Sequence, residues 1–84
     1  MLDAPETLGD LLNAARNKAA LTLKELARKT DTSFQHISKV ERDESDLSLP
    51  LLRRIDKALK LPDRILVKMI RATRESDGGR DYPA

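Results

Sequence analysis

Between residues 33 and 42 the sequence SFQHISKVER carries hydroxyls, an amide, one aromatic ring and cations around only two strongly apolar positions, Ile37 and Val40. At helical spacing that pair makes a narrow stripe. Gln35, Ser38 and Lys39, with Phe34 and His36, are then left to face elsewhere. Such side chains recognise partners by hydrogen bonds and charge; they are not a set for covalent chemistry. The chain has no Cys and one His, so it has no thiol nucleophile and no zinc ligand set. It also has no Gly-rich phosphate loop, and neither a metal nor a cofactor is expected. His36 lacks a second ligand or a carboxylate partner at helical spacing and reads as a partly buried filler. Enzyme activity is not expected.

Something must hold that stretch in place, and the flanking residues supply it. Leu8, Leu11, Leu12, Ala15 and Ala19 follow the three-four spacing of one helix face, with Thr7 as a cap. A short second helix opens at Thr22, where Glu25 completes a capping-box pattern, buries Leu23, Leu26 and Ala27, and ends near Thr30. Thr30, Asp31, Thr32 and Ser33 favour a tight turn, since their side chains bond their own backbone and Asp tolerates left-handed geometry. Ser33 caps the third helix. After a polar loop, Asp43 to Asp46, Ser48 caps a fourth helix that takes Pro50 in its first turn and buries Leu51, Leu52, Ile55 and Leu59. Pro62 starts a fifth, with Ile65, Leu66, Met69 and Ile70 on one side.

At 84 residues there is room for one core. One Tyr, one Phe and no Trp make that core aliphatic. The expected organisation is a flexible N-terminus over residues 1–6, one domain over 7–74 and a disordered tail over 75–84. No apolar run approaches the roughly 20 residues of a membrane span, and the acidic start MLDAPE has no signal-peptide character, so a cytoplasmic protein with no membrane partner is expected. The net charge of +2 conceals segregation. Arg16, Lys18, Lys24, Arg28 and Lys29 oppose only Glu25 over residues 14–30, residues 31–48 are acidic on balance, and residues 49–74 are again basic.

Two short helices joined by a turn of about four residues, the second mostly unburied and polar, is the arrangement in which one helix braces and the next enters a DNA major groove. The stretch LTLKELARKTDTSFQHISKVERDESDLSLPLLRRIDKALKLP resembles the phage repressor and Cro helix-turn-helix family, also called the xenobiotic-response-element family. With the preceding LGDLLNAARNKAA the resemblance covers residues 8–62, and the motif itself spans about 23–42. Ala27 stands at the close helix crossing, Leu26, Ile37 and Val40 at the core positions, and Glu41-Arg42 at the end of the reading helix. Asp31 replaces the usual turn Gly, Thr32 an aliphatic, and Leu23 a Gln that touches phosphate; the loop after Arg42 is acidic where relatives are often basic.

The resemblance implies an all-α, five-helix lambda-repressor-like DNA-binding domain. It assigns base reading to Ser33, Phe34, Gln35 and Lys39, and backbone contacts to Thr22, Lys24, Arg28, Ser38 and Arg42. Gln suits adenine, Lys suits guanine, and Phe can lie against a thymine methyl. For Phe34, groove contact and packing against the turn both stand. Arg16, Lys18 and Lys29 flank the motif as further phosphate candidates. The nearly continuous apolar run of the fifth helix, about 62–74, reads as a dimer interface through Ile65, Leu66, Met69 and Ile70. The expected function is a homodimeric transcriptional regulator, a repressor or autoregulator on a palindromic double-stranded DNA operator. The alternative is an antitoxin-type module that occupies a partner toxin and autoregulates its operon.

Overall fold

The structure, a computed structural model, describes the backbone of residues 7–78 and the side chains of residues 7–73. Five helices follow one another: α1 (Leu8–Lys18), α2 (Leu23–Lys29), α3 (Phe34–Glu41), α4 (Leu49–Leu59) and α5 (Asp63–Gly78). No strand occurs among the described residues. α3 packs on α1 and α2, α4 on α2 and α5, and α5 closes back onto α1.

Each of the first four helices starts where a short hydroxyl side chain can take up an orphan backbone amide. Thr7, Thr22, Ser33 and Ser48 accept from the N–H of Asp10, Glu25, His36 and Leu51, respectively. At Thr7 and Thr22 the bond is reciprocated, as the carboxylates of Asp10 and Glu25 accept the cap residue's own N–H.

The helix ends are less orthodox. Three of them close with the same pair of backbone bonds around a left-handed residue, and in none is that residue glycine. Ala20, Asp31 and Asp43 take φ of 59°, 56° and 60°. The next residue in each case donates back into the last turn, Leu21 to Arg16 O, Thr32 to Ala27 O and Glu44 to Lys39 O, at 3.2, 3.0 and 2.8 Å. Lys60 ends α4 with φ 53°.

Leu12, Leu26, Ile37, Val40, Leu52, Ile55 and Met69 form the centre of the core, with Leu11, Ala27, Leu47, Leu51 and Leu61 around them. Leu47 sits just past the polar loop and pins it to the core. Met69 is 0% exposed, which corrects its expected place in a dimer interface: it is a core residue, buried by the return of α5 onto the bundle. α5 also runs to Gly78, past the boundary expected at residue 74. The flexible N-terminus expected over residues 1–6 and the remainder of the tail, 79–84, lie outside the described residues. Among the described residues no helix is long and apolar enough to cross a membrane.

Candidate nucleic-acid interface

α3 is eight residues long and amphipathic by burial: Ile37 and Val40 are buried, whereas Phe34, Gln35, Lys39 and Arg42 at its end are exposed. Positions 35, 39 and 42 fall one turn apart, so amide, ammonium and guanidinium form a single stripe along the outward side. Ser38 is half-buried beside that stripe, and half-buried His36 fills the flank, as the sequence suggested. Ser33, on the turn, accepts the His36 N–H at 3.1 Å and keeps its O–H to donate outward. Thr22 has the same arrangement at the start of α2, accepting from Glu25 N–H at 3.0 Å.

The turn that sets α3 against α2 is braced from below. Thr30 is buried, its hydroxyl donates to Leu26 O at 2.8 Å, and its carbonyl accepts from Arg54 of α4 at 3.0 Å. Asp31 supplies the left-handed residue of the turn, and Thr32 beside it is half-buried.

The far end of α3 is tied to α1. Glu41 accepts from Arg16 Nε at 2.6 Å and Nη2 at 3.1 Å, and from Asn13 Nδ2 at 2.9 Å. Arg16 spends a further N–H on Leu21 O at 2.7 Å. The two charged side chains are only 12% and 8% exposed, so Arg16 is a structural fastener and not the phosphate ligand its position suggested. Asp43 completes the junction. Its carboxylate accepts the backbone N–H of Gly9 at 3.0 Å and the hydroxyl of Thr7 at 2.8 Å, which places a negative charge on the N-terminus of α1. The first residue of the acidic loop is thus consumed internally.

Gly9 is what allows this approach. A Cβ there would stand 2.4 Å from Glu41 O and 2.7 Å from Val40 O. The bundle therefore fixes α3 at its start through the braced turn and at its end through α1.

Residues 12–66 match the family model of the Cro-type helix-turn-helix. The chain belongs to the Cro-type helix-turn-helix family. This Cro-type domain is a DNA-binding transcription regulator by that membership. Its fold is similar to the restriction-modification controller protein C.AhdI from Aeromonas hydrophila, at 25% identity and TM-score 0.65, over 70% of this chain and 89% of that one. It is also similar to the clp gene regulator ClgR from Corynebacterium glutamicum, at 27% identity and TM-score 0.68, over 88% of this chain and 80% of that one. No curated protein matches the chain.

Around the Cro-type motif, Lys18, Lys24, Arg28 and Lys29 are exposed. Arg42 is exposed too, but 3.2 Å from Glu44, in a solvent-facing pair of little energetic weight. Phe34 is 38% exposed, and Lys24 Nζ lies 5.6 Å from the centre of its ring. The ring therefore neither disappears into the turn nor stands alone. That pairing links residues ten apart in sequence on different helices, and nothing in the local pattern announced it.

A second surface lies in the groove between α4 and α5. Leu49, Leu52, Arg53, Asp56, Leu66 and Ile70 line an open cleft of about 420 Å³. Leu49 is exposed, while Ile65, Leu66 and Ile70 are half-buried against the core. Of the four residues expected at a dimer interface, Leu66 and Ile70 face this cleft together with Leu49 of α4, whereas Ile65 lines a separate pocket with Leu11, Ala15 and Pro62. Val67, on the same helix, is 51% exposed.

Proposed function

We propose that this chain is a homodimeric, sequence-specific repressor or autoregulator that reads a palindromic operator through α3. The observation that carries the reading is the stripe Gln35, Lys39 and Arg42 on a helix whose other side is buried and whose two ends are locked. A reading helix must keep its register on the base edges, and rigid anchorage holds it without a reordering cost on binding.

Within that reading Gln35 and Lys39 contact base edges, each good bidentate pair contributing about 1 to 3 kcal/mol of discrimination. Ser33 and Phe34 meet bases at the helix start. Thr22, Lys24, Arg28, Ser38 and Arg42 meet phosphates, which set register and orientation. The cleft along Leu49, Leu66 and Ile70 accepts the same surface of a second copy, and a twofold axis there sets two reading helices about one DNA turn apart, roughly 34 Å. The roles of C.AhdI as a restriction-modification controller and of ClgR as a clp gene regulator support a regulator of promoters.

The test is binding of the purified protein to the DNA upstream of its own reading frame against scrambled duplex, across a salt series. Lys24, Arg28 and Arg42 from two protomers give a log–log salt slope of about −5, with a constant advantage for the cognate duplex. Equal affinity for both duplexes would sink the proposal.

A further inference from the structure

We propose that the Lys24–Phe34 pair makes this protein a reader of the pyrimidine C5-methyl group at one base pair of each half-site. The inference rests on the reading of α3 as the base-contacting helix and names what one part of that helix recognises.

Phe34 is the only phenylalanine of the chain, and it stands at the first position of α3. A residue there is among those that reach base edges when such a helix enters the major groove. An aromatic ring on a domain with so little aromatic content would contribute most inside the core. Instead 38% of Phe34 is left exposed, next to Gln35, which is exposed as well. The ring makes no hydrogen bonds, so the groove feature it can recognise is apolar. The major groove offers one such feature among the unmodified bases, the C5-methyl of thymine.

Lys24 biases the attitude of the ring. It stands at the second position of α2, and its ammonium lies over the ring of Phe34 at 5.6 Å from the centre. A cation over one face leaves the opposite face and the edge for the methyl. Lys24 is otherwise exposed, which leaves the same ammonium free to meet a phosphate that flanks the groove. Lys24 therefore acts as a positioning residue: the phosphate contact and the ring orientation are held by one side chain.

The chemistry recognised is the methyl, which thymine carries by nature and 5-methylcytosine carries by modification, at the same place on the pyrimidine. The protein then gains affinity for a cytosine at that pair once it is methylated.

The probe is a duplex selected from a random pool by the full chain. Deoxyuridine replaces each thymidine in turn, and in a second series cytidine and 5-methylcytidine are compared at the position so found. The wild type loses affinity about fourfold at one thymidine per half-site, the equivalent of one buried methyl group. 5-Methylcytidine binds tighter than cytidine there by a similar factor. Phe34→Ala, an exposed position, abolishes both ratios, and Lys24→Met lowers them while Lys24→Arg restores them.

Insensitivity to deoxyuridine at every thymidine, or sensitivity that survives Phe34→Ala, would overturn the inference while specific selection leaves the function intact. A deoxyuridine loss without a methylcytosine gain would overturn reading of the methyl irrespective of its base. Failure to select any sequence would overturn the function and the inference together.

Discussion

Replacing Gly9 with alanine should destabilise the protein, although helix propensity alone argues the reverse. Alanine in a helix is favoured over glycine by up to about 1 kcal/mol. Against that, the new methyl would meet the carbonyl oxygens of Glu41 and Val40 at 2.4 and 2.7 Å and the Asp43 carboxylate at 2.8 Å. The two carbonyls belong to the backbone of α3 and cannot swing aside as a side chain can; Val40 O already accepts from Asp43 N–H at 3.0 Å. α1 must therefore retreat, which lengthens the 3.0 Å bond from Gly9 N–H to Asp43. Overpacking costs about 1 to 3 kcal/mol, and a hydrogen bond to a charged group contributes about 1.5 to 3 kcal/mol. After the propensity gain, about 1.5 to 5 kcal/mol of destabilisation remains. For a domain of this size that lowers Tm by roughly 6 to 40 °C. Thermal melts followed by far-UV circular dichroism measure it. An unchanged or higher Tm in Gly9→Ala would refute the reasoning, for it would mean that α1 does not press on α3 as described.

Ala20→Gly should have the opposite sign, since relief of a left-handed alanine outweighs glycine's added chain entropy by about 0.5 to 1 kcal/mol; the urea midpoint should rise at constant m, and a fall would deny the strain. Glu41→Ala leaves the Arg16 guanidinium enclosed without its carboxylate and should cost about 3 kcal/mol in urea unfolding, whereas the double variant Arg16→Met, Glu41→Leu should recover most of it. Leu66→Lys should give monomers by light scattering with the helical spectrum retained, and an undisturbed dimer would remove the interface from the α4–α5 cleft. Gln35→Ala and Lys39→Ala should each weaken cognate binding by about tenfold or more while scarcely changing affinity for scrambled duplex; equal losses on both would show that neither residue reads bases.

Much of the bundle is written in local pattern. Thr7, Thr22, Ser33 and Ser48 announce the first four helix starts because a cap depends on residues three apart, and the stripe of Ile37 and Val40 shows which side of α3 is left over. What the pattern does not show is whatever joins distant segments. Arg16 looks like any flanking cation until the fold brings Glu41 to it from 25 residues away. Asp43 reads as loop acidity, yet its carboxylate caps α1. Met69 belongs by spacing to the same stripe as Ile65, Leu66 and Ile70; only the return of α5 decides which of them the core takes. The left-handed turns hide for a related reason, as Ala20, Asp43 and Lys60 carry no glycine signal.

The tie between α1 and the end of α3 also bears on the order in which the chain assembles. α2, the turn and α3 are contiguous and can form on short loop closures, but the links from residues 7–16 to residues 41–43 close loops of about 25 to 36 residues, whose entropy must be met before any of those bonds stabilises the chain. On loop-closure grounds the docking of α1 should follow the pairing of α2 with α3. Its loss would release the end of α3 while α2 and the turn stay intact. In amide exchange, the N-terminal turn of α1 and the last turn of α3 should open as one unit, separate from the rest of the bundle.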